Sequence, residues 1–251
     1  MLCLLGLALL AVPAAQARIA APLSGASVAA YRGDGAGSDY LRDATTGGIS
    51  GIVKSGTGAP LGGIQVAAYR DAGVFWVYVA DTSTDAVSGG YHLRTLSAGL
   101  YYVKFFDPVG FYLSQWYELK SSSASATPVT VVSGAATTGV DATMLVKVVL
   151  GKPICPRAVR HGTRFTVSGT LRPQFQAGSS TVRLKVYRYT NGKWRLYRRY
   201  ATRNADSGTA SRYHARISIA RAGKYRFKAL VAATTVWGAA RTSFSRMLVV
   251  K

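Results

Sequence analysis

The 251-residue sequence predicts an all-β protein made of two β-sandwiches in series, and three observations carry that prediction. Apolar residues alternate with polar ones from Ile49 onward, the signature of half-buried strands. Glycine-bearing turns interrupt the alternation roughly every 8–12 residues, the spacing of an antiparallel sandwich. Charge then divides the chain. Residues 151–251 hold 22 Lys and Arg against one acid, Asp206, whereas residues 1–150 hold nine of each sign. The net charge of +21 therefore belongs to the second half, whose surface must differ from that of the first. Apolar content of 49% supports packed cores and excludes a disordered chain.

The chain opens on an apolar run, Leu2 to Val12, too short to span a bilayer. Ala15-Gln16-Ala17 follows as a cleavage signal, so residues 1–17 read as an export leader, cut before Arg18, although no basic residue precedes the run. No later segment is apolar enough to be a transmembrane span. Cys3 would leave with the leader, so Cys155 is left without an intrachain partner. The sequence leaves open whether Cys155 is a lone thiol or pairs between chains.

An internal repeat follows. Nine of twelve positions in Ala21–Arg32 recur in Ala59–Arg70 at an offset of 38 residues. A unit of that length cannot hold a sandwich, so residues 18–47 are expected to be a truncated, poorly ordered copy. The first sandwich is expected at 48–150. Its strands include Ile64–Tyr69, Tyr91–Arg94, Tyr101–Phe105, Val129–Val132 and Val140–Leu150. Its turns are Gly56–Gly58, Asp71–Gly73, Ser88–Gly90 and Asp107–Gly110, and Ser121–Thr127 is a loop. Two prolines in Gly151–Pro156 would stop a ladder, which makes 151–157 the expected linker. The second sandwich, 158–251, is expected to use Thr163–Leu171, Thr181–Tyr189, Trp194–Ala201, Arg212–Ile219, Lys224–Val231 and Ser243–Val250. Asn191-Gly192 is a strong hairpin signal between the second and third of these.

Residues 48–147 carry, in order, Gly51-Ile52-Val53, Gly58–Val66, Thr84-Asp85-Ala86, Gly90–Leu93, Leu96–Phe105 and Gly139–Ala142. This succession resembles the carboxypeptidase regulatory-like family, with a turn between Asp85 and Tyr91 longer than the family norm. The resemblance implies a transthyretin-like seven-stranded sandwich, and it extends to the accessory domain alone, not to a peptidase. Residues 153–251 are similar to an immunoglobulin-like module of secreted actinobacterial proteins. Gly162–Pro173, Gly192-Lys193-Trp194, Ala222–Ala229 and Ser245-Arg246 carry that likeness. It implies that Tyr225 is a tyrosine corner, with Phe227 standing where an antibody domain has its second cysteine.

Catalytic chemistry has no visible home. None of His92, His161 and His214 begins an H-x-x-E, and no G-x-S-x-G elbow occurs. Asp71, Asp85, Asp107 and Asp206 sit in turns, where aspartate ordinarily caps its own backbone. Asp81 and Asp85 lack the spacing of a known calcium loop. No enzyme activity, cofactor or metal is expected.

Two sets of surface residues point instead to binding. If Phe75, Val77 and Val79 face the core, Trp76 and Tyr78 face out, and Tyr112 and Trp116 alternate with Leu113 in the same way. Such rings would stack on a glycan or a partner, or else cover a sheet edge or the repeat copy. In the second half Arg183 and Lys185, Arg195 and Arg199, and Lys224, Arg226 and Lys228 alternate with apolar residues. They would form a solvent face, either a plain solvated surface or one that takes phosphate or carboxylate. The expectation is an exported, extracellular or cell-wall-associated, non-catalytic protein. Its partners would be an anionic wall polymer or polysaccharide, or other envelope proteins, and not intracellular nucleic acid. The alternative is a carbohydrate-binding accessory protein that contacts starch or another glycan, like the modules of amylase-type enzymes.

Overall fold

Nineteen strands and one 3-10 turn make up the regular structure of the computed structural model, which describes residues 46–251. The leader at 1–17 and the repeat copy up to residue 45 lie outside the described residues. The first nine strands are β1 (Gly47–Ser55), β2 (Gln65–Asp71), β3 (Trp76–Ser83), β4 (Gly90–Leu96), β5 (Gly99–Phe106), β6 (Gln115–Trp116), β7 (Pro128–Val131), β8 (Ala136–Thr137) and β9 (Ala142–Met144). They form two sheets. One has β1 between β4 and the pair β8 and β9, and the other runs β3-β2-β5-β6 with β7 also on β5. Ile49, Val53, Val66, Ala68, Leu93, Val103, Phe105 and Met144 fill the space between them. The period-two pattern thus does what it implies: Val66 and Ala68 are buried while Gln65 and Tyr69 are partly open.

The remaining strands are β10 (Val149–Leu150), β11 (Ala158–Val159), β12 (Arg164–Arg172), β13 (Val182–Thr190), β14 (Lys193–Ala201), β15 (Arg203–Ser207), β16 (Ala210–Ser218), β17 (Gly223–Val231), β18 (Ala240–Arg241) and β19 (Leu248–Val250). They also form two sheets, β10-β12-β16-β15 and β11-β19-β17-β13-β14, with β18 on β17. Leu184, Val186, Ile217, Phe227 and Leu248 lie between these sheets, and Phe165 meets Phe227 edge to face at 6.4 Å. No sheet draws strands from both sets, and all four belong to one compact unit, Asp43–Lys251.

Several expectations need correction. The stretch expected as a linker is laid against the second set of sheets. Leu150 pairs with Leu171, the Gly151 amide donates to the Thr170 carbonyl at 2.9 Å, and the Ile154 amide to that of Ser168 at 2.7 Å. Prolines 153 and 156 interrupt the ladder without freeing the chain, because Ile154 bonds to Ser168 of β12 and the Cys155 carbonyl accepts from Arg246 Nε. Cys155 is buried there, and burial pushes its thiol pKa up. The long strand expected at Val140–Leu150 is split, since β9 serves the first core and β10 the second. Only Leu248–Val250 of the expected Ser243–Val250 is ladder, and β15 was not expected. Asn191 and Gly192 both have positive φ, 51° and 76°, as a two-residue hairpin turn demands.

One corner is built twice. Tyr225 is fully buried, and its hydroxyl donates to the Arg221 carbonyl at 2.8 Å. This is the arrangement that the second resemblance implies. Tyr101 does the same with the Ser97 carbonyl at 2.9 Å. Each tyrosine follows an Ala-Gly pair, and Gly99 and Gly223 have φ of 142° and 143°. An arginine of the neighbouring strand closes each corner. Arg70 Nη2 donates to the Ala98 carbonyl at 3.1 Å, and Arg188 Nη2 to that of Ala222 at 2.9 Å. A Cβ on either glycine would lie 3.2 Å from that arginine. Arg70 also donates to the Tyr101 hydroxyl at 2.7 Å and covers its ring at 4.6 Å.

Two measurements check this packing. Tyr101→Phe and Tyr225→Phe each remove a hydroxyl that satisfies a carbonyl, so each should lower stability to urea by about 1–2 kcal/mol, nearly additively in the double variant. Tyr91 and Tyr213 donate to the Val140 and Gly151 carbonyls, and burial raises both phenol pKa values well above the usual range. Below about pH 10 the phenols are protonated in both the folded and the unfolded chain, and their contribution is fully present. Above it the unfolded chain releases protons that the folded chain retains, so stability falls as pH rises. The urea midpoint should drop above about pH 10, and Tyr91→Phe with Tyr213→Phe should flatten that drop.

Candidate functional site: two aromatic sheet faces, one of them basic

The outer face of the β3-β2-β5-β6 sheet is set by a bulge. Ala68 pairs with Ala80 but Tyr69 with Tyr78, leaving Val79 unmatched. Ala80 therefore packs on the core, while Tyr69, Tyr78 and Trp76 share the outer face. Tyr102 and Lys104 of β5 and Trp116 of β6 complete that face through the Tyr69–Tyr102 and Lys104–Trp116 pairs. The rings pack on one another. Trp76 meets Tyr102 at 4.7 Å and Trp116 at 5.6 Å, and Tyr69 meets Trp116 at 5.3 Å and Tyr78 at 6.0 Å.

Three expectations change here, and that for Tyr78 holds. Phe75, Val77 and Val79 are not core residues, because β3 is an edge strand that runs out past the core and leaves all three exposed. Trp116 faces out as expected, yet only 9% of it is accessible, because its neighbours cover it. Tyr112 is not part of the cluster, since it packs half-buried against the inner core. Tyr78 does stand open at 54%, and its hydroxyl donates to Asp81, a bond that raises its pKa.

A second bulge sets the basic face. Val186 pairs with Arg198 but Tyr187 with Leu196, so Tyr197 is the extra residue. Arg199 thus shares the outer face with Trp194 and Leu196, whereas Arg195 lies opposite Arg188 on the inner side. Strict alternation had put Arg195 and Arg199 together and away from Trp194. The other five expected cations, Arg183, Lys185, Lys224, Arg226 and Lys228, lie on the outer face with Arg199.

Three of them form a row across three strands. Lys185 is directly opposite Arg199 on one side and Lys228 on the other. Side chains so placed are about 5 Å apart at Cβ, and like charges there repel. Rings lie beside the row. Lys228 Nζ is 4.1 Å from the Phe244 centroid and Arg226 sits 4.8 Å over Trp194. Phe244 meets Tyr187 at 5.1 Å, and Trp194 meets Tyr189 at 5.2 Å. These four rings went unread in the sequence. Trp194 was placed on the wrong side by the unseen bulge, and Phe244 sits in an irregular segment with no periodicity.

The remaining polar groups are engaged locally. Asp71 accepts from the Gly73 amide, Asp85 from those of Val87 and Ser88, and Asp107 from those of Val109, Phe111 and Tyr112. The Ser88 bonds hold the Asp85 carboxyl below its ordinary pKa. Asp206 differs from the turn-capping expectation, since it sits in β15 and accepts from Gln174 Nε2 at 3.3 Å. Among the described residues no three His, Cys, Asp or Glu side chains are grouped to hold a metal, and no helix is long and apolar enough to cross a membrane.

Fold and surface define an all-β, sandwich-type protein with ring-bearing sheet faces. No family model matches the chain, and no curated protein does. Among solved structures it is similar to a DUF3823 family protein from Bacteroides uniformis, at 11% identity and a TM-score of 0.30, over 81% of this chain and 99% of that one. It is also similar to a streptococcal ancillary pilin, at 15% identity and a TM-score of 0.31, over 83% of this chain and 62% of the pilin. Likeness at these scores decides neither topology nor activity.

The cation row has a direct energetic consequence. Lys185→Glu puts an acid between Arg199 and Lys228 and replaces two repulsions with two attractions. It should raise stability by about 0.5–2 kcal/mol at low salt. The gain should shrink as salt is added, and thermal melts at two ionic strengths check this.

Proposed function

We propose that this is an exported, non-catalytic envelope-interaction protein whose basic, immunoglobulin-like sandwich adheres to an anionic wall polymer. The first sandwich, read as carboxypeptidase regulatory-like, acts as a neutral spacer and contact module. The single observation that carries the reading is the Arg199–Lys185–Lys228 row, with Arg226 stacked on Trp194. A like-charged row is held at a cost to the fold, and a polyanion laid across the three strands would relieve it. Arginine forks and ammonium groups supply the charge contacts, and Trp194 offers a ring to sugar or base faces. The expected leader at 1–17 puts the available polyanions outside the cell: teichoic acids, acidic glycans, anionic lipids and released DNA.

A second reading, binding of a neutral glycan, is favoured by Trp76 and the open ring of Tyr78 on the other sandwich. The two readings differ in salt dependence. If about four phosphates are neutralised, affinity for a polyanion should fall roughly a hundredfold between about 50 and 200 mM salt. Pull-down of the chain on teichoic acid and on starch at both salt levels tests this. Lys185→Glu should lose the polymer while gaining stability. Salt-independent starch binding that disappears in Trp76→Ala would replace the first reading with the second.

A further inference from the structure

A separate cationic feature lies at the open edge between the second pair of sheets. β15 covers β16 only from Ala210 to His214, so the edge from Ala215 to Ser218 is free of a ladder partner on that side. β14 reaches this edge from the other sheet, and the Tyr200 hydroxyl points to the Ser218 carbonyl at 3.4 Å. Around the crossing Arg164, Arg198 and Arg216 line a cleft of about 380 Å³, together with Tyr200, Ile217 and Ser218. That volume is at the small end of the range of ligand sites, about 300–1,000 Å³.

The strand registers explain why three arginines meet here. Arg164 pairs with Ser218 and Thr166 with Arg216, so both arginines project from the outer side of the β12–β16 ladder, one step apart. The bulge at Tyr197 turns Arg198 to the inner side of β14, opposite Val186, while its neighbour Arg199 goes to the flat face. Alternation sends the two adjacent arginines to opposite sides, and the bulge decides that Arg198 is the one turned inward. Arg198 is further braced by the Tyr200 ring, 5.9 Å from its guanidinium carbon.

No acidic side chain of residues 151–251 lies beside these charges. Asp206 is the sole acid of residues 151–251, and it pairs with Ser211, five residues from Arg216 along the strand, or about 16 Å at 3.3 Å per residue. Three arginines that line one cleft repel one another, and an oxyanion is the partner that resolves the repulsion. Its geometry distinguishes the candidates. A carboxylate offers two oxygens, enough for one fork. A phosphomonoester offers three terminal oxygens, so three arginines can each engage it, and a phosphodiester offers two terminal oxygens beside its ester oxygens; the Ser218 hydroxyl is a further donor.

We propose that this cleft binds one phosphoryl group, carried on a phosphomonoester or within a phosphodiester polymer. The site shares no residue with the flat basic face, so it stands or falls independently of the adhesion reading. Calorimetric titration of the full chain at about 50 mM salt tests it, with inorganic phosphate, glycerol phosphate, a glycerol-phosphate oligomer and galacturonate as ligands. Inorganic phosphate should bind with one-to-one stoichiometry. Arg198→Gln and Arg216→Gln should each weaken it by about tenfold or more, while Lys185→Gln and Lys228→Gln leave it unchanged. Compared in the Lys185→Glu background, which disables the flat face, tighter binding of the monoester than of the oligomer assigns the cleft to a small phosphorylated ligand, and the reverse assigns it to a polymer. The proposal is overturned by the absence of saturable phosphate binding in a chain whose melting curve is intact. Equal affinity for galacturonate, or equal weakening by the flat-face variants, overturns it as well.

Discussion

Both halves of the described chain depend on one closure: a buried tyrosine satisfied by its own backbone, reached through a positive-φ glycine and capped by an arginine from the next strand. The corner does more than fill space. With Tyr225 committed to the interior, Lys224 and Arg226 must emerge on the opposite face of β17. With Tyr101 committed inward, Tyr102 joins the outer ring cluster. The phase of each outer face is therefore fixed by a hydrogen bond on the inner one. Arg70 and Arg188 close equivalent positions, and each keeps a buried Nε without a partner. The two pairs of sheets thus share a corner design while presenting different surfaces.

Bulges then adjust what the corners set. Each edge strand, β3 and β14, gains one unmatched residue against its hairpin partner. An extra residue restarts the alternation in the opposite phase. In the first sandwich this puts Tyr69, Trp76 and Tyr78 together over the sheet. In the second pair of sheets it turns Arg199 outward to share a face with Trp194, which lies beside Arg226. Ring clusters and cations arise on both faces from the same small defect, and both defects lie on edge strands, where an unmatched residue does not disturb a second ladder.

Surface chemistry follows from the imbalance of charge. An ordinary surface mixes signs, so its cations find local acids. Here Asp206 is the sole acid among residues 151–251, and Gln174 already donates to it. Cations therefore lie against rings, as Lys228 does against Phe244, against backbone carbonyls, as Arg246 does against Cys155, or open to solvent. The acidic turns of the first half use their carboxylates to cap their own amides.

Much of the fold was legible in the sequence because sheet burial has a period of two and turns have distinctive chemistry. Val66, Ala68, Leu184, Phe227 and the Asn191-Gly192 hairpin could each be placed from local pattern alone, and so could the outward direction of Lys224, Arg226 and Lys228. Chain partnership could not. Gly151 to Cys155 looked like a linker, since prolines read as breaks whether or not the residues between them find carbonyls elsewhere. Tyr112 and Trp116 looked equivalent, since alternation cannot say which ring its neighbours will cover. Arg195 and Trp194 were assigned to the wrong faces because a bulge leaves no trace in composition. The sequence by itself determined the strands, the turns and the charge imbalance, all properties of residues and their near neighbours. Only the tertiary structure decided which face each edge-strand residue occupies and which arginines meet, because register is set by the partner strand.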